Sequence, residues 1–398
     1  MTYLFYHNCY NSYVSNSIRR FKIVEKRSNK PLFLSAFILA IISLLFVVSA
    51  EMGETSSDTS YLLVSFIKYI VFLLLAVIWY LFISRFEYHN INLIIYYFVY
   101  AIILCLLIMC RAFGQVGGAY AWLRFGIISI QPSEFAKHMV IMLGAKMFSK
   151  DYKQDNIRMF NVYAILCLIY FVVIAFIQKD FGSAFVIAVI WFFVSLLNPY
   201  IENRNKIGNL LLIFFIGIVV IGLLLSPIGT AFFKSKPDNY MFGRFLASSN
   251  PFEYAYDIGY HVVMSLITFA SGGITGVGLG NSIHKHMNFP NPSTDFILPV
   301  IVEEGGLITY FAIIVLYLCI IIPVIHYSNK TNDVFSRIVY AGFIFYFLTH
   351  FILNVGGVTG LIPLTGIPLL LLSGGGSSLV ACFGVIGSCQ NEIIRSHK

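Results

Sequence analysis

From Asn281 to Glu304 the chain reads NSIHKHMNFPNPSTDFILPVIVEE. It gathers Lys285, His284, His286 and Asp295, and closes on paired Glu303 and Glu304. Ionisable groups are costly at an apolar boundary, so such a cluster points to chemistry or transport. Asp295 precedes an apolar run. A carboxylate beside cations under an apolar roof is what general-base work on a charged lipid substrate requires. Thr294 or Asp295 can also cap the helix that starts there, and the two roles are compatible. Glu303 and Glu304 fall about two turns further along. They face a cavity or cation, or form a buried ion pair with Lys137 or Arg244.

Other stretches carry weaker signals. In QPSEFAK (131–137), Pro132 and Glu134 suit a helix start. Lys137 one turn inside needs a partner, and Glu134 at i−3 is the nearest. Asp180 in QKDFGSA can cap a helix through Gly182 and Ser183. GGITGVGLG (272–280) lacks the strand and Gly-Lys-Ser context of a nucleotide loop, and suits a turn beside a pyrophosphate. SGGGSSL (373–379) is a small-residue patch of the kind that lets helices pack closely. His261, His284 and His286 have no metal-specific spacing and read as polar surface residues. The seven cysteines are scattered singly and imply neither disulfides nor zinc.

These groups need elements to hold them. With 59% hydrophobic and 11% charged residues and a mean hydropathy of +0.83, the chain is no soluble domain. It reads as an all-α, polytopic integral membrane protein. Ten apolar runs are long enough to span: 31–50, 60–84, 91–110, 132–149, 159–177, 182–200, 207–226, 296–326, 336–357 and 365–391. Lys137 and His138 make the fourth the weakest, and QKDF makes the fifth and sixth a tight hairpin. Residues 1–30 form a basic cytoplasmic tail and 31–398 a single membrane domain. Lys and Arg concentrate on one set of loops, which places both termini in the cytoplasm. The net charge of +8 is thus a topology signal and not a nucleic-acid signal. A long extracytoplasmic segment, 227–295, lies between helices 7 and 8. Segments of that length are usually functional, and its interior, DIGYHVVMSLITFASGGITGVGLG, reads as an amphipathic stretch ending in a Gly-rich turn.

Five motifs in order resemble the SEDS (FtsW/RodA/SpoVE) family: GGAYAWLRFGIISIQPSEFAK, QKDFGSA, RFLASSNPFEYAYDIGYHVVMS, SGGITGVGLGNSIHKHMNFPNPSTDFILPVIVEEGGL and NVGGVTGLIPLTGIPLLLLSGGGSSL. The chain departs from the family pattern at Ala121 (usually Arg, with Arg124 nearby), Lys179 (Pro), His261, Asn291 (Glu) and Ser293 (His). The resemblance implies a peptidoglycan glycosyltransferase that polymerises lipid II on the outer face of the bacterial cytoplasmic membrane. Asp295 matches the family's essential Asp and is the expected general base. The leaving pyrophosphate needs cations: Arg244 and Lys285 first, then Lys137 and Arg124, or a divalent ion, Mg or Mn. Thr294, Glu134, Asp180, Glu303 and Glu304 complete the expected substrate site. IPLTGIPLLLLSGGGSS is nearer the division branch than the elongation branch. Either branch implies a class B penicillin-binding protein, a transpeptidase, and other division or elongation proteins as partners. A lipid II flippase and a non-catalytic division scaffold are the competing readings. The absence of an internal repeat and the charges at one boundary disfavour a transporter.

Overall fold

The computed structural model describes residues 30–54, 59–126, 128–152, 156–198, 240–287, 289 and 291–396. The seventh expected span, 207–226, the first part of the long segment, 227–239, and residues 1–29 of the tail lie outside them. Eleven α-helices occur among the described residues: α1 Lys30–Glu54, α2 Thr59–Ile83, α3 Leu93–Met109, α4 Pro132–Met147, α5 Asn156–Val172, α6 Phe181–Leu196, α7 Tyr240–Ser249, α8 Tyr260–Gly272, α9 Ile297–Lys330, α10 Val334–Val358 and α11 Gly376–Ser396. Seven of these (α1, α2, α3, α5, α9, α10 and α11) are long and apolar enough to cross a membrane. The chain is a multi-pass, mostly helical membrane protein.

The all-α expectation needs one small amendment. A two-stranded antiparallel hairpin, β1 Leu123–Phe125 with β2 Ile128–Ile130, precedes α4, with Arg124 opposite Ser129. Its ladder satisfies backbone groups that a plain loop would leave open.

α4 explains the weak fourth run. It packs against α3, α5, α6, α10 and α11, and nearly all of its residues are buried. Its charges therefore meet protein instead of lipid. Lys137 Nζ donates to Glu134 Oε1 at 2.6 Å, and His138 Nε2 meets Ser388 Oγ at 2.8 Å. Gly144 lets the helices close, since a Cβ there would sit 2.6 Å from Val194 and 2.9 Å from Tyr163.

The tenth run is corrected. Residues 365–375 are not helical; α11 begins at Gly376. Pro363, Gly366, Pro368 and Gly374 oppose a continuous helix. Leu369, Leu370, Leu371 and Leu372 are nevertheless buried, so this is an apolar loop folded into the bundle. Such a backbone is tolerated at membrane depth only when protein satisfies it. Asn354 Nδ2 donates to Ile367 O at 2.9 Å, His350 Nδ1 lies 3.1 Å from Pro368 O, and Tyr317 Oη donates to Leu370 O.

α9 is broken in the same spirit. Gly306 has φ 69, a left-handed conformation that favours glycine. The peptide groups freed there pair with the Gly-rich turn after α8. Val277 N donates to Glu303 O and Gly278 N to Glu304 O, each at 2.9 Å. Leu307 N and Ile308 N donate to Gly273 O and Ile274 O at 3.1 and 3.2 Å. A side chain on Gly272, Gly276 or Gly306 would collide with the facing backbone. Gly272 and Gly276 thus serve close backbone pairing.

Candidate active site

Asp295 lies in the turn that leads into α9. Neither Thr294 nor Asp295 caps that helix: the cap position is Phe296, and no side chain fills it. The expected capping role is corrected, because the turn is closed by backbone. Thr294 N and Phe296 N both donate to Asn291 O, at 3.2 and 3.3 Å. Asn291 takes φ 43, a conformation that Asn tolerates better than most residues. The turn is anchored from the far end of the chain. Gly374 N donates to Ser293 O at 2.8 Å, Ser373 Oγ to Thr294 O at 2.9 Å, and Asn354 Nδ2 to Asp295 O at 2.9 Å.

The Asp295 side chain is half-buried. A Cβ on Gly366 would lie 3.6 Å from its Oδ2, so the loop passes directly beside the carboxylate before it enters the bundle at Ile367. Burial pushes the Asp295 pKa up to about 6; Arg244 pulls it down and Asp180 raises it further. Arg244 Nη1 also donates to Leu364 O at 2.9 Å, which ties α7 to that loop. His261 packs edge-on against Phe296 at 6.1 Å between ring centroids.

Asp180 is the N-cap expected from the sequence, accepting from Ser183 N at 3.0 Å. Its other oxygen accepts from Gln131 Nε2 at 3.1 Å, and Gln131 N donates to Ser377 Oγ at 3.2 Å. The QKDF turn passes through Lys179 at φ 59. Proline, the family's residue there, cannot adopt that angle, so this chain makes its own form of the turn. Gly182 faces Thr365 O, where a Cβ would come within 2.7 Å.

Beneath this group lies a dry one. Glu134 and Lys137 are fully buried, Lys137 Nζ reaches His350 Nε2 at 3.2 Å, and Tyr346 Oη lies 3.5 Å from Glu134 Oε2. The i−3 pairing expected from sequence is present. His350 continues to Pro368 O, so the pair supports the loop beside Asp295 from below.

A model of the FtsW/RodA/SpoVE family, described as cell cycle protein, matches residues 29–393. The chain belongs to this family. A probable peptidoglycan glycosyltransferase FtsW of Bacillus subtilis strain 168 is 35% identical over 288 residues, 72% of this chain and 70% of the relative. The peptidoglycan glycosyltransferase MrdB of Escherichia coli strain K12 is 28% identical, over 74% of this chain and 77% of its own. Among solved structures, a chain of a peptidoglycan synthase complex that coordinates polymerization and crosslinking matches with a TM-score of 0.68 at 20% identity. The match covers 92% of this chain and 97% of that one. The rod shape determining protein RodA of Thermus thermophilus matches with a TM-score of 0.62 at 20% identity, covering 92% and 97%. At these identities the structures establish the FtsW/RodA/SpoVE fold.

Within that fold the expected site residues divide. Asp295, Arg244 and Asp180 come together, and Thr294 is adjacent through its backbone. Arg124 stands exposed on β1, and no hydrogen bond or ion pair joins it to Asp295. Lys285 is corrected. It is 1% exposed, and its Nζ is spent on Glu304 Oε1, Ser49 Oγ and Gly280 O, each at 2.8 Å. A cation so enclosed has no donor left for pyrophosphate. The carboxylate pair is corrected in its partners, which are neither Lys137 nor Arg244. Glu304 pairs with Lys285. Glu303 pairs with His284 Nδ1 at 2.6 Å and accepts from Ser282 Oγ and Ser271 Oγ. Asn354, His350, Gln131 and the 364–367 loop were not expected at the site. Their signal was the run of Pro and Gly after Asn354, which marks irregular backbone inside an apolar stretch.

Proposed function

We propose that the chain is a peptidoglycan glycosyltransferase that polymerises lipid II, with Asp295 as general base. The observation that carries the reading is the half-buried Asp295 carboxylate, its pKa raised by burial, beside Arg244 and the loop at Gly366. A base poised near the working pH is half ionised and still accepts protons effectively. In the reaction the acceptor sugar hydroxyl attacks the donor's anomeric carbon. Its proton passes to Asp295, the anomeric C–O bond breaks, and undecaprenyl pyrophosphate leaves. Such a base contributes about 10²–10⁴-fold. Arg244, on the short helix α7, offsets charge on the departing phosphates.

A divalent cation, Mg or Mn, is consistent with the oxygen donors here. Asp180 would hold it, which leaves Asp295 free to act as base, and the Thr365 hydroxyl at the same junction is buried without a partner among the described residues. The cation would supply further neutralisation of pyrophosphate. The proposed setting is the bacterial cytoplasmic membrane, with ten spans, both termini cytoplasmic and the 227–295 segment outside. A class B penicillin-binding protein is the proposed partner, together with other division or elongation proteins, and the division branch is favoured by the 362–379 sequence.

Labelled lipid II, the purified protein and a cognate class B penicillin-binding protein should yield glycan strands in Mg or Mn. Asp295→Ala should fold, bind the partner and make none. Full polymerisation by that variant would refute the assignment. Translocation of lipid II without polymerisation would favour the flippase reading.

A further inference from the structure

We propose that the turn from Ile274 to Ile283 is an interfacial membrane anchor, inserted among the lipids beside α9. The segment from Ile258 to His284 contains no Asp, Glu, Lys or Arg. Its turn exposes apolar side chains: Ile274 at 69%, Leu279 at 54% and Ile283 at 59%, with Val277 beside them. This apolar surface is continuous with the membrane-facing side of α9. Ile274 O and Gly273 O accept from Ile308 N and Leu307 N, and Leu307, Ile308 and Phe311 are exposed large apolar residues below the turn.

Two physical features favour insertion. Backbone entering lipid must have its peptide groups paired. Gly276 N donates to Gly272 O, Val277 N and Gly278 N to α9, and Asn281 N to Gly278 O. The charges behind the turn are neutralised and enclosed, with Lys285 on Glu304 and His284 on Glu303. The depth also fits. α9 is two helical pieces joined at the Gly306 break, and the hydrocarbon core to be crossed is ~30 Å. Leu307 to Lys330 alone reaches about 36 Å, which places the Gly306 break and the paired turn at the boundary of the core. The exposed His286 and Asn281 then lie at headgroup level, the usual place for polar side chains flanking an interfacial element.

The test uses the full chain in phosphatidylcholine/phosphatidylglycerol nanodiscs, with exposed cysteines replaced by Ser and one cysteine restored for an environment-sensitive fluorophore. Label at Leu279→Cys or Ile274→Cys should be quenched several-fold more by lipids carrying a nitroxide near the top of the acyl chain than label at Asp257→Cys. It should be correspondingly shielded from iodide in water. Equal iodide access at positions 279 and 257 overturns the proposal. So does shielding from both quenchers, which would mean that protein, a second copy or another chain, covers the turn. Ile283→Cys provides an independent reading should either of the first two variants fold poorly.

Discussion

Lys285 and Glu304 offer the sharpest separation of structure from chemistry. Their charges sit 2.8 Å apart with no side-chain exposure on either. At an effective dielectric of about 20 the attraction is about 6 kcal/mol, most of it spent offsetting the desolvation of two ions. Lys285→Met removes the cation, leaves the Glu304 charge uncompensated with only Ser49 Oγ and Ser282 N donating to it, and leaves Gly280 O without the Lys285 donor. Breaking a buried pair from one side costs about 3–5 kcal/mol. Lys285→Met with Glu304→Leu removes both charges and leaves apolar volume, which is often neutral. The single variant should therefore lose several degrees of Tm in detergent and the double variant should recover most of it. Lipid II polymerisation should follow stability: impaired in the single variant and near wild type in the double. A double variant as stable as wild type but unable to polymerise would refute the argument and return Lys285 to the pyrophosphate.

Further expectations follow from the same geometry. Asp295→Asn, which keeps shape and removes basicity, should lower the polymerisation rate about 10²–10⁴-fold while partner binding persists in a pull-down. Since only ionised Asp295 accepts a proton, kcat/KM should fall as pH drops through about 6. Asp180 raises that pKa and Arg244 lowers it, so the acid limb should move down in pH in Asp180→Asn and up in Arg244→Gln. An unmoved limb in both, measured by initial rates from about one unit below to two units above that pKa, would exclude Asp295 as the titrating group. Gly182→Val should drive its side chain into Thr365 O and Ile367 and cost about 1–3 kcal/mol of stability by overpacking, read as a lower Tm; a silent substitution would show that the loop does not press on α6.

The elements were largely legible because spanning helices announce themselves by length and hydropathy. Asp180 as a cap and Glu134 as the partner of Lys137 were legible because both relations are local, at i+3. Two of the errors fall where a partner is distant in sequence, and a third where the partner is a backbone group. Lys285 looked like a free cation because Glu304 and Ser49 approach it only in the folded chain. Residues 365–375 read as helix because hydropathy counts apolar residues and not the peptide groups that Asn354 and His350 satisfy. Thr294 and Asp295 looked like caps because Asn291 O, a backbone group, leaves no sequence trace.

The loop that borders Asp295 is translated after every other element of the centre. Residues 364–374 grip the Asp295 turn, Arg244 and α6, all of which are synthesised earlier. The carboxylate therefore has no finished surroundings until residues 364–374 have been made and have folded back onto it. A nascent or prematurely terminated chain carries every acidic residue of the centre and still lacks the wall that sets its basicity. A chain cut short of residue 364 should therefore leave the Asp295 turn without its Ser373 and Gly374 anchors.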